Sequence, residues 1–158
     1  MRDEHTDLHA GQASWLDAAP FRAHVRHAVA EADIPWPAFA VESGVPIPAV
    51  RSLLFGRGGR PIGRIEPRIA ARLFSIGAVE LAGLRRTQVA AADTAQRLRE
   101  LLVAGLDPLA LARWCALSPR DLARLVDGDD WSCSRLTECL SLAAQRMAAA
   151  AVPHQRAA

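Results

Sequence analysis

The chain has 158 residues, 51% of them hydrophobic, enough for one ordinary domain or two small ones and too many for wholesale disorder. Its 32 alanines, 5% aromatics and absent tyrosine favour small, closely packed helices over a β-sandwich or barrel. A net charge of +2 does not by itself mark a nucleic-acid binder, no apolar run is long enough to span a membrane, and three cysteines without a CxxC pair argue against a disulfide framework or a structural zinc site. Residues 1–13 are polar and acidic, unlike a secretory signal peptide, and are expected to form a disordered arm. Ser14, Trp15 and Leu16 are expected to pack against the first helices. Phe21, Val25, Ala28, Val29 and Ala32 recur at three- and four-residue spacing, which predicts an amphipathic helix ending before Ile34 and Pro35.

From Ala40 the chain repeats itself. A shift of 72 residues lays Ala40–Gly56 over Ala112–Gly128 without a gap, matching Gly44 to Ala116, Val45 to Leu117, Val50 to Leu122 and Leu53 to Leu125. With one residue dropped, Ile65, Ile69 and Ile76 fall on Leu136, Leu140 and Met147. A further helix is expected to start near Glu66 and Pro67, a short one within 78–86, and 87–92 read as a linker. Leu98, Leu101 and Leu102, opened by Asp93 and Thr94 and closed by Gly105, predict the second unit's counterpart of the first amphipathic helix. The reading is therefore all-α, two small helical bundles in tandem: a first unit over 14–86, a second over 93–151, and a disordered tail at 152–158.

Charge is distributed unevenly. Residues 1–19 carry −3, 20–76 carry +4, and 77–93 and 94–147 each balance at zero. The first unit is the part attractive to an anionic polymer. All 19 basic residues are arginine, and lysine, asparagine and tyrosine are missing, which points to a GC-rich bacterial genome such as an actinobacterium's. Part of the arginine content thus reflects codon usage.

Each repeat has the pattern of two helices joined by a sharp turn. Ala40 and Ala112 are small where helices cross, Gly44 and Ala116 sit in the turn, and Val45 and Leu117 plug the corner. A leucine at either turn position is expected to overpack it. In the second unit Ser118, Pro119 and Asp121 make a good helix start. The run Ala40, Gly44, Val45, Val50, Leu53, Leu54, Gly56 and Arg57 resembles the lambda-repressor-like helix-turn-helix domains of bacterial and phage regulators. Residues 15–147 as a whole resemble actinobacterial proteins with two such units in tandem. The second unit departs from the pattern with alanine in the turn and with Asp127, Asp129 and Asp130 after its second helix.

The resemblance implies a bacterial transcriptional regulator at the cytoplasmic nucleoid, binding double-stranded DNA with the second helix of each motif in the major groove. Carried onto this chain, the outward positions are Ile47, Pro48, Arg51 and Ser52 in the first unit and Ser118, Pro119, Arg120, Asp121 and Arg124 in the second, with base contacts expected from Ile47, Pro48, Arg51, Ser52, Ser118, Arg120 and Arg124. Arg57, Arg60 and Arg64 alternate with glycines after the first such helix and are expected to hold phosphates. The rival reading is a protein-interaction module whose second unit dimerises or holds a transcription factor, with only the first unit, or neither, touching DNA. No cofactor, metal or catalysis is expected: His24 and His27 have helical spacing but no third ligand, and no nucleophile–base pair or nucleotide-binding glycine loop is present. Cys115, Cys133 and Cys139 read as buried inert thiols, and Trp36, Trp114 and Trp131 as core or edge-of-core anchors and not base-stacking platforms.

Overall fold

The computed structural model describes residues 14–151, so the expected arm at 1–13 and tail at 152–158 lie outside it. The described chain is mostly helical. In order it runs β1 (Leu16–Asp17), α1 (Ala19–Ala32), α2 (Trp36–Ser43), α3 (Ile47–Phe55), β2 (Arg64–Ile65), α4 (Pro67–Phe74), α5 (Ala78–Gly83), β3 (Gln88–Ala90), α6 (Ala92–Val103), α7 (Pro108–Trp114), α8 (Pro119–Asp127), β4 (Ser132–Ser134) and α9 (Arg135–Ala151). α2 and α3 recur as α7 and α8 with the 72-residue offset read from the sequence.

The turns recur in detail. Gly44 (φ 67°) and Ala116 (φ 56°) are both left-handed. The next amide reaches back over six residues in each repeat, Val45 N–H to the Ala40 carbonyl (3.1 Å) and Leu117 N–H to that of Ala112 (2.9 Å). Crowding does not explain the small residues here: both turn positions are exposed, and a Cβ at Gly44 would meet only Arg72 Nη1, at 4.0 Å. The expected overpacking is therefore replaced by a backbone cost, since an L-residue in this region loses about 1–2 kcal/mol. Ala116 already bears that cost. Ala116→Gly should therefore raise stability by about 0.5–1 kcal/mol after the larger unfolded-state entropy of glycine is subtracted, a Tm increase of about 1–4 °C. A lower Tm would contradict the strained-turn account.

Two features depart from the all-α expectation. β1 pairs with β2 and β3 with β4, each a short antiparallel ladder, with Leu16 opposite Ile65 and Val89 opposite Cys133. Residues 87–92, expected as a linker, contain β3 and the first residue of α6. The fourth-helix alignment is also corrected. Ile65 corresponds to Cys133 in the ladder, both buried, because residues 56–63 separate α3 from β2 whereas only 128–131 separate α8 from β4. The first unit's glycine–arginine stretch is thus an insertion relative to the second.

The two repeats do not stand apart. Their buried side chains form one continuous core, with Phe39, Leu53 and Leu73 of the first repeat and Leu98, Leu136 and Leu140 of the second all buried. α9 lies against both α2 and α6, and so bridges the repeats. Where α9 meets α2, Arg135 lies 3.1 Å from Glu42 and 2.5 Å from Glu138, all three partly buried. The Arg135–Glu42 pair spans the two repeats and sets α9 against α2. Trp114 donates from its indole N–H to the Leu140 carbonyl at 2.9 Å, and Trp36 is half-buried. The core-anchor expectation fails for Trp131, which is 92% exposed, and Trp15 is exposed as well.

Candidate nucleic-acid interface

The outward face of α3 is made by its register. Val50, Leu53 and Leu54 point into the core, and Ile47 joins them at 5% exposure, which corrects its assignment as an outward reader. Pro48 and Arg51 are exposed and Ser52 is half-buried, so these three remain on the accessible face. Phe55, 62% exposed, continues that face and meets Trp36 edge-on at 5.9 Å.

Beyond α3 the chain folds into a tight hairpin. Arg57 and Arg60 exchange backbone hydrogen bonds of 2.9 and 3.1 Å, with Gly58 (φ 56°) and Gly59 (φ 77°) at the corner, the two positive φ values that a primed two-residue turn demands. Gly56 (φ 79°, ψ −174°) launches it, and a Cβ there would lie 2.6 Å from the Arg60 carbonyl carbon. The root is fastened to α1. Arg22 donates to the carbonyls of Leu53 (2.7 Å) and Ile62 (2.5 Å), and Arg26 to that of Leu54 (2.9 Å). These cations satisfy the carbonyls left open at the end of α3 and oppose its negative dipole end. The second repeat does the same with Arg99, which donates to the Val126 carbonyl at 2.8 Å. Sequence reading missed this use of Arg22, Arg26 and Arg99. The only signal was a pair of arginines four residues apart on the polar side of α1.

Arg51, Arg57, Arg60 and Arg64 are exposed, and among the described residues none has a carboxylate oxygen within 4.0 Å. Arg57 Nε makes a long contact, 3.4 Å, to Ser52 Oγ. Arg64 lies in β2 opposite Asp17. The structure therefore brings one cation on α3 and three on the hairpin and its following strand into one continuous stretch of chain held on α1.

The equivalent surface of the second repeat is differently committed. Ser118 caps α8, accepting from the Asp121 N–H at 3.1 Å and donating to Asp121 Oδ2 at 2.6 Å, so its hydroxyl is occupied within the helix start. Arg124 is held by Asp130 at 2.7 Å, and of the two arginines expected as readers only Arg120 is exposed without an ion pair among the described residues. Pro119 is exposed at the first position of α8, and Asp121, Asp127 and Asp129 are exposed and would repel a phosphate backbone. The hairpin itself is missing here, replaced by Gly128 in a left-handed cap (φ 85°, ψ 16°).

The remaining candidates have structural roles. His24 Nε2 meets the Ile76 carbonyl at 2.8 Å and its ring lies 4.7 Å from that of Phe74. All three cysteines are buried and free, and burial pushes Cys115 and Cys139 up to about 12 and raises Cys133 as well. Among the described residues no helix is long and apolar enough to cross a membrane. No protein-family model, curated protein or solved structure matches the chain.

Proposed function

We propose that the protein binds double-stranded DNA through its first repeat, and that each repeat is a helix-turn-helix unit of the lambda-repressor-like kind. α3 enters the major groove with Pro48, Arg51 and Ser52, while Arg57, Arg60 and Arg64 hold the backbone. The observation that carries this reading is the run of exposed arginines, free of ion pairs among the described residues, along α3 and a hairpin rooted on α1. Transcriptional regulation at the bacterial nucleoid is the role this activity serves. A rigid hairpin matters because a phosphate contact from a pre-ordered side chain loses less entropy than one from a free loop.

The α8 face of the second repeat and the loop after it are better suited to a protein partner than to DNA, as a homodimer contact or a seat for a transcription factor. Trp131, 92% exposed, follows the exposed Asp127 and Asp129 closely in sequence, which supports a basic protein surface as its complement.

The test is the salt dependence of duplex binding. Replacing Arg57, Arg60 and Arg64 together by alanine should weaken binding to all sequences alike and lower the log–log salt slope by roughly 2–3. A slope unchanged from the parent removes the hairpin from the interface. If Arg120→Ala relaxes sequence preference at a defined site, the second repeat reads bases after all.

A further inference from the structure

A cleft of about 480 Å³ lies between the start of α3 and the last turns of α9. Pro48 and Arg51 line one side, and Arg146, Met147 and Ala150 line the other. Neither arginine has a carboxylate within 4.0 Å among the described residues, and no carboxylate lines the cleft. Two arginines thus line the cleft with no acidic side chain to balance them, so an anion is its electrostatic complement. Arg146 is there because of its position on α9. It follows Arg135 by about three helical turns, so both lie on the same face of α9, and the Arg135–Glu42 pair fixes that face against α2 of the first repeat.

We propose that this cleft seats the phosphodiester backbone bordering the groove that α3 enters, with Arg146 as the phosphate contact. The last helix of the second repeat thereby completes the DNA interface of the first. This rests on the reading of the first repeat as the DNA-binding unit. It explains why the repeats share one core: a freely tethered second unit could not keep Arg146 on the cleft that Arg51 lines. Arg51 keeps its place on the face of α3, and Arg146 adds a sequence-independent contact that neither repeat has by itself.

The experiment compares the parent protein with Arg146→Ala, Arg146→Lys and Arg113→Ala, the last an exposed arginine outside the cleft. Binding to a labelled duplex of random sequence is followed by anisotropy between about 50 and 200 mM salt. Arg146→Ala should bind roughly three- to tenfold more weakly, with a log–log slope lower by about 1. Arg146→Lys should keep the parent slope, and Arg113→Ala should match the parent. Thermal melts of all variants should coincide, since Arg146 is exposed. A parent slope in Arg146→Ala overturns the proposal, and it leaves the first-repeat reading intact if the hairpin variant still lowers the slope. An equal loss in Arg113→Ala reduces the effect to net charge and overturns it too. A parent protein without affinity for duplex overturns both.

Discussion

Raising the pH above about 9 should destabilise the fold steeply, through thiols alone. Burial pushes Cys115 and Cys139 from 9.0 up to about 12, and Cys133 is raised in the same direction. For Cys139 the guanidinium of Arg135 works against burial, and Glu42 works with it. Above the ordinary thiol value the unfolded chain releases protons that the folded chain retains, so the unfolded state gains stability with each pH unit. The folded protein has its full thiol contribution below about 9 and loses it as pH climbs towards about 12. Each retained proton costs about 1.4 kcal/mol per pH unit, and two thiols titrating together cost about 3. The effect is clean because the chain has no lysine and no tyrosine, so no other side-chain type ordinarily titrates there. Urea unfolding at about pH 8 and about pH 11 measures it. Cys115→Ala with Cys139→Ala should flatten the profile. Equal stability of the parent at both pH values, or an unflattened profile in the double variant, would refute the burial account.

Gly56→Ala should cost about 2–4 kcal/mol, a large share of a typical domain's stability. Two terms add. The backbone at φ 79°, ψ −174° belongs to a region open essentially to glycine alone, and the new Cβ would run into the carbonyl of Arg60 that the Arg57 amide needs. Gly128 is the built-in control. It holds the equivalent place in the second repeat but sits in an ordinary left-handed cap with nothing within 4 Å of its Cβ position. Gly128→Ala should therefore cost only about 1–2 kcal/mol. Denaturant midpoints of the two variants decide the matter, and an equal or smaller loss at Gly56 sinks it. Displacing the hairpin should also take DNA affinity down as far as the triple arginine variant does.

The helical class, the two repeats and their offset are legible in the residues alone. These rest on local periodicity: the apolar spacing that makes α2, α3, α7 and α8, and the small residues at Gly44 and Ala116, act within a few residues of each other. Pro48, Arg51, Arg57, Arg60 and Arg64 are legible as candidate contacts for the same reason, since exposed arginines beside turn glycines can be read one position at a time. Whatever depends on distant partners is settled by packing. Ile47 and Trp131 are both apolar, yet Ile47 is core at 5% exposure and Trp131 stays out at 92%, a difference set by packing and not by residue type. Arg124 has the spacing of a reader, but Asp130 comes within 2.7 Å of it; Arg22 and Arg26 have the pattern of solvated charges, but α3 ends on them. Residues 87–92 resemble a connector because two or three extended residues carry no periodicity, and only the pairing with β4 makes them a strand. Arg146 belongs to the same class: it lies 95 positions beyond Arg51 in the chain, and only the packing of α9 on α2 brings them to one cleft.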